Sequence, residues 1–132
     1  MREVKFRVWD KFSKRMGHVD RIHLDDKELS YITKSKDVVV YRDYKNECVL
    51  MQYTGLKDKN DKEIYEGDIV EYEDEVNGVW AEYFGIPIIY SNEYAMFCFK
   101  DDEGNLLNIY RNLKVIGNIY EDKELLEEVA NE

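Results

Sequence analysis

Residues 50 to 70 constrain the fold of this chain more than any other stretch. They read Leu50-Met51-Gln52-Tyr53-Thr54-Gly55-Leu56-Lys57-Asp58 and, after a polar break, Glu63-Ile64-Tyr65-Glu66-Gly67-Asp68-Ile69-Val70. Val49, Met51 and Tyr53 alternate with Cys48, Leu50 and Gln52, and a short run with apolar residues in both phases marks a central strand. Gly55 is expected to end that strand. Lys57 to Lys62 reads as a polar turn in which Asn60 accepts a left-handed conformation. Gly67 permits a bend before the next strand, and Asp68 offers a side-chain acceptor to nearby backbone. The run holds no nucleophile, ligand cluster or phosphate cradle.

The same period-two pattern recurs along the chain. Val4, Phe6 and Val8 alternate with Lys5, Arg7 and Trp9 in a half-buried strand, with Asp10 to Lys14 as its turn and Arg15 to Val19 as the return. Residues 20–46 carry the weakest pattern, broken at Lys34-Ser35-Lys36-Asp37 before a short Val38 to Tyr41 strand. Asn77-Gly78 is a hairpin signal between Tyr72 and the Val79 to Tyr83 piece. Pro87 lacks an N–H, which places Ile86 to Tyr90 at an edge or a strand start. Tyr94 to Lys100, Leu106 to Tyr110 and Leu113 to Tyr120 supply further strands, the last bent or bulged at Gly117. Asp122 caps a short helix with Leu125, Leu126 and Val129 as its apolar stripe, too short to stand alone.

Eleven Tyr and five Phe against a single Pro agree with β structure, where aromatic rings pack on a pleated surface. A length of 132 residues suits one unit: an N-terminal hairpin and irregular region over 1–47, a core over 48–120 and a helix over 121–132. Cys48 and Cys98 stand far apart without a CxxC partner, and no signal-like or membrane-length apolar segment is present. These features lead us to expect reduced, buried thiols in a cytoplasmic protein that does not cross a membrane.

The formal charge of −10 opposes nucleic-acid binding by the whole surface. It is unevenly spread: residues 1–21 hold seven Lys/Arg against three Asp/Glu, and residues 101–132 hold three against nine. Either each terminus is simply solvated or the two meet, within one chain or between subunits of an oligomer.

Candidate chemistry is sparse. His18, Asp20, His23, Asp25 and Asp26 are ligand types in a spacing that fits no zinc motif, so surface residues explain them and no metal is expected. Glu71, Glu73 and Asp74 read as a solvated strand face, and no Gly-x-Ser-x-Gly elbow or Cys–His pairing is present. No catalytic residue and no cofactor is therefore assigned. Lys5, Arg7, Lys11, Lys14 and Arg15 interleave with Phe6, Trp9 and Phe12, a pattern able to track a phosphate backbone and stack bases. Trp9, Trp80, Tyr83, Tyr90 and Tyr94 exceed what a small β core needs, although Trp80 is expected to complete that core.

Three ordered motifs carry a resemblance over nearly the whole chain. Arg7-Val8-Trp9-Asp10 with Lys14 and Met16 comes first; Met51 to Leu56 with Asp58, and Glu63 to Val70, follow; Val115-Ile116-Gly117-Asn118-Ile119-Tyr120-Glu121 closes the set. Together they resemble the YopX-like proteins of phages and prophages. The resemblance implies an SH3-like β-barrel core, a phage or prophage origin and a host-cytoplasmic location. It implies no substrate and no catalytic residue. The Gly67-Asp68-Ile69-Val70 lead-in also occurs in many SH3-like barrels. Asp61 departs from the family pattern, which has Gly there, so either Asp61 or Asn60 takes the positive φ.

The expected architecture is thus mainly β, a small SH3-like barrel with an N-terminal hairpin and a short C-terminal helix. The expected function is binding without chemistry, through self-association and contact with a host or phage protein. Arg7, Trp9, Lys11 and Lys14 on the first hairpin and Leu125, Leu126 and Val129 on the helix are the candidate contacts, with Gly55, Gly67, Asp68 and Gly117 structural. The alternative is a nucleic-acid-binding module using the basic, aromatic hairpin; a hydrolase and an acidic DNA mimic rank below it.

Overall fold

A computed structural model describes residues 3–33, 38–104 and 111–126. It is mainly β and divides into two compact units, residues 1–53 and 54–132.

The first unit is an antiparallel sheet of β1 (Phe6–Asp10), β2 (Arg15–His23), β3 (Glu28–Ile32), β4 (Val39–Asp43) and the start of β5 (Cys48–Lys57), in the order β4-β3-β2-β1-β5. The weakly patterned stretch after residue 20 thus becomes two full strands. Val8 pairs with Gly17 on one side and Leu50 on the other. Val8, Leu29, Tyr31 and Cys48 form the buried core, with Val19, Ile22, Val40, Tyr44 and Leu50 packed around them. Gly17 is required by close approach: a Cβ there would lie 2.3 Å from Cδ2 of Tyr31.

Instead of stopping at Gly55, β5 runs through it to Lys57. Gly55 takes a φ of 89°, which kinks the strand without ending it. Thr54 spans the kink, its hydroxyl accepting from Leu56 N at 3.2 Å and donating to the Ile64 carbonyl at 2.7 Å. Beyond Tyr53 the strand pairs with β6 (Glu63–Tyr65).

The second unit adds β7 (Asp68–Val76), β8 (Val79–Ser91), β9 (Met96–Phe99) and β10 (Arg111–Asn118), ordered β10-β7-β8-β9. Ile64, Val70, Tyr72, Ile86, Ile88, Phe99, Leu113 and Val115 make its core. Asn77 and Gly78 both have positive φ, 54° and 81°, and Val76 faces Val79, the geometry of a two-residue type I′ hairpin. Gly67 bends at φ 86°, and Asp68 Oδ2 accepts the Tyr65 N–H at 2.8 Å. At the family's departure from Gly, Asp61 itself carries the positive φ, 64°. A register shift between Val115 and Gly117 places a bulge where the Gly suggested one.

Pro87 lies inside the long β8, not at an edge or a strand start. Its carbonyl accepts from Lys100 N, one residue past the last β8–β9 pair, Ile88 with Phe99. The missing N–H therefore falls where the ladder with β9 stops, and no interior rung is lost. Asp122 also differs from expectation. Leu125 N bonds its carbonyl at 3.0 Å and residues 124–126 are helical, but its carboxylate reaches back to Asn118 N at 3.0 Å. That carboxylate occupies the space a Cβ on Gly117 would need, with Oδ2 at 2.6 Å from it.

The strands make two antiparallel sheets, and among the described residues neither closes into a barrel. Val129, the expected strand from Leu106 to Tyr110 and the break at 34–37 lie outside the described residues.

Candidate binding surfaces

The first surface is built on a residue that looks like a turn residue in one dimension. Asp10 ends β1 in the same phase as Val8 and is fully buried. Its Oδ1 accepts the N–H groups of Phe12 and Ser13 at 2.9 and 3.3 Å, which shapes the β1–β2 turn. Tyr31 Oη donates to Oδ2, and Arg42 Nε lies 3.1 Å from Oδ2 and 3.2 Å from Oδ1. Arg15 Nε in turn donates to Tyr31 Oη at 3.1 Å. Burial alone would raise the Asp10 pKa, but the bonds from Tyr31, Ser13 and Arg42 outweigh it and hold the carboxyl well below the usual range. Next to it, burial and the Asp10, Glu47 and Asp43 charges push the Cys48 thiol up to about 11. That is the opposite of what a nucleophilic cysteine needs.

Around this buried anion the turn presents Lys11, Phe12, Lys14 and Arg15 to solvent, with Phe12 68% exposed. The Arg42 guanidinium carbon stands 5.5 Å from the centre of the Phe12 ring. Arg7 and Trp9 are half-buried within β1, where they pair with Met51 and Val49 of β5. Of the expected contact residues on this hairpin, Lys11 and Lys14 are therefore the exposed ones, and Lys14 holds a φ of 53°. Phe12, Arg15 and Arg42 complete the surface.

The second surface lies on β7 and β8. Tyr72 is stacked between Tyr83 and Phe99, at 4.8 and 4.1 Å between ring centres. Its hydroxyl donates to Asp101 at 3.3 Å. Burial first, and then the Asp101 charge, push its pKa well above the tyrosine range. A cleft of about 190 Å³ opens beside this stack, lined among others by Lys59, Glu71, Glu73, Glu82 and Phe84. Glu73 faces Glu82 across the two strands, a like-charge pair eased by Asn112 donating to Glu73 at 2.7 Å.

Beyond Glu73 the hairpin changes character. Val76, Val79 and Trp80 are 56%, 68% and 48% exposed. Trp80 thus stands outside the core it was expected to complete. Among the described residues β10 pairs with β7 no further than Glu73, and β9 begins pairing with β8 only at Ile88. Val76 faces Val79 and Glu75 faces Trp80 across the two strands of this tip. The Asn77-Gly78 signal located this tip in the sequence, but not the exposure of the side chains around it.

Leu125 and Leu126 are half-buried at the end of the described chain. Asp58, by contrast, is a structural anchor: its buried carboxylate accepts from Asn60, Lys62 and Val115 N–H groups at 2.8 to 2.9 Å, tying the turn to β10. Both cysteines are buried and free. His18, Asp20, His23, Asp25 and Asp26 are all exposed, and no group of three His, Cys, Asp or Glu among the described residues is disposed to hold a metal ion. No described helix is long and apolar enough to cross a membrane.

A β protein of paired hairpins with two chemically distinct exposed patches is the class these features define. The chain belongs to the YopX family, whose model, the YopX protein, matches residues 5–127. It is similar to the crystal structure of protein EF1440 from Enterococcus faecalis, with 32% identity and a TM-score of 0.64, over 96% of this chain and 99% of that one. A search of curated proteins found no match.

Proposed function

We propose that this chain is a non-catalytic binding protein that associates with itself and engages a host or phage protein through the tip of the β7–β8 hairpin. The exposure of Val76, Val79 and Trp80 together at the hairpin tip carries this reading. An exposed Trp beside two exposed Val gains by burial against a partner. Asp74, Glu75 and Glu82 flank the apolar tip, so the complementary surface is apolar with a basic rim. Within this reading residues 54–118 act as an SH3-like binding module, supported by the Gly67-Asp68 bend into β7. Membership of the YopX family supports a phage or prophage origin, and two buried free thiols support the host cytoplasm as its location. Self-association rests on the half-buried Leu125 and Leu126.

Native mass spectrometry of the protein gently captured from prophage-bearing cells tests both parts. A partner mass is expected with the wild type and absent from the Val79→Ser/Trp80→Ser variant, with an unchanged melting temperature. Retention of the same partner by that variant sinks the tip as the contact. Leu125→Ser/Leu126→Ser should split the oligomer; an unchanged mass with a lower melting temperature places the stripe in the chain's own core.

A further inference from the structure

We infer that the β1–β2 turn, together with Arg42, is a second binding site, one that grips a phosphodiester of single-stranded nucleic acid between two guanidinium groups and stacks a base on Phe12. The site is independent of the β7–β8 tip.

Surface arginines ordinarily bind phosphate weakly because a long side chain must be ordered in the act. Here that ordering is already done. Arg42 is fixed through Nε on the buried Asp10 carboxylate, and Arg15 through Nε on the Tyr31 hydroxyl that itself donates to Asp10. Three short links therefore separate the two guanidinium groups, and both are anchored to one buried anion. Holding each group by Nε leaves the outer nitrogens to form the paired N–H fork that matches phosphate oxygens. Arg42 spends one outer nitrogen on the Tyr41 carbonyl at 2.9 Å; among the described residues the outer nitrogens of Arg15 bond no protein group.

The surroundings fit a phosphate. Lys11 and Lys14 add positive charge on the same turn. The carboxylates nearby are engaged locally: Glu47 accepts the Asp43 N–H at 2.7 Å and Asp43 accepts the Lys45 N–H at 2.7 Å. Phe12 decides between phosphate sources. A phosphorylated protein needs only the charges, whereas an aromatic ring 68% exposed beside a guanidinium offers a platform for a base. The global charge of −10 confines such binding to this turn and makes it weak and salt-sensitive.

The test is fluorescence anisotropy with labelled oligothymidylate of about twenty nucleotides and the full chain, from about 50 mM salt upward. Binding should weaken steeply with salt. Arg15→Gln and Phe12→Ala should each weaken it about tenfold, measured where urea melts show each variant fully folded, since Arg15→Gln also gives up its bond to Tyr31. The charge-matched control Lys57→Gln should stay within about twofold of wild type. No binding at the lowest salt, or wild-type affinity in both site variants, overturns the proposal. A phosphotyrosine peptide that competes equally well while Phe12→Ala has no effect also overturns it, and assigns the site to phosphoprotein.

Discussion

Asp10 shows how one residue can organise a surface from beneath it. Its carboxylate is ionised, buried and bonded by two backbone N–H groups, a tyrosine and an arginine. Its folded pKa lies below the unfolded value of about 3.9, so its stabilisation is whole above about pH 5 and is lost as pH falls through 3.9 toward the folded value. Urea midpoints at pH 7, 5 and 3 should therefore fall with acid in the wild type. Asp10→Asn should start about 3 kcal/mol less stable at pH 7 and decline less, because breaking one partner of a buried pair strands the other. A variant with the wild-type acid slope would remove Asp10 as the cause. The neighbouring thiol gives a second check: with Cys48 near 11, alkylation at pH 8 in the native state should be slower than in urea by about two orders of magnitude. Equal native and unfolded rates would contradict the buried, protonated thiol.

Two elements depend on single close fits. In β2, Gly17 leaves room for the Tyr31 ring, and Gly17→Ala places a Cβ inside van der Waals contact. A loss of about 2 kcal/mol or more is expected from thermal or urea melts, and the same Gly17→Ala change should cost less in a Tyr31→Leu background than in the wild type. At the β7–β8 hairpin, Asn77→Ala/Gly78→Ala puts two alanines at positive φ, which costs about 1–2 kcal/mol per residue. Hydrogen exchange should then speed first at the tip, residues 74–81. Uniform acceleration across both units would show that the turn supports more than its own ribbon. Element identity was legible wherever alternation and turn residues agreed, as in β1 and in β7 with β8. It failed where a strand survives its breaker: Gly55 kinks β5, and Pro87 falls where the β9 ladder ends, facts set by the partner strands and not by Gly or Pro themselves.

At the scale of the whole molecule, the charge of −10 sets how the chain meets salt. Self-repulsion among surface carboxylates should be screened as ionic strength rises from about 0.01 to 0.15 M, raising the melting temperature by a few degrees. Over the same range binding at the basic turn should fall. Opposite responses to one titration, read by differential scanning fluorimetry and anisotropy, separate the global field from the local patch. A melting temperature that drops with salt would mean that attractive pairs dominate the surface charge.

The β class, the Asn77-Gly78 hairpin, the Gly67 bend and the Gly117 bulge were determined by the sequence alone, because each depends on residues within a few positions of one another, and the family by the order of three motifs along the chain. The binding surfaces were decided only by tertiary structure. Asp10 meets Tyr31 and Arg42 because the β1 to β4 register stacks residues 21 and 32 positions apart over one buried carboxylate. Trp80, which the sequence reading assigned to the core, is 48% exposed at the hairpin tip. Local pattern specifies which face of a strand is apolar; which of those faces is covered depends on what packs against it, and one-dimensional periodicity carries no record of that.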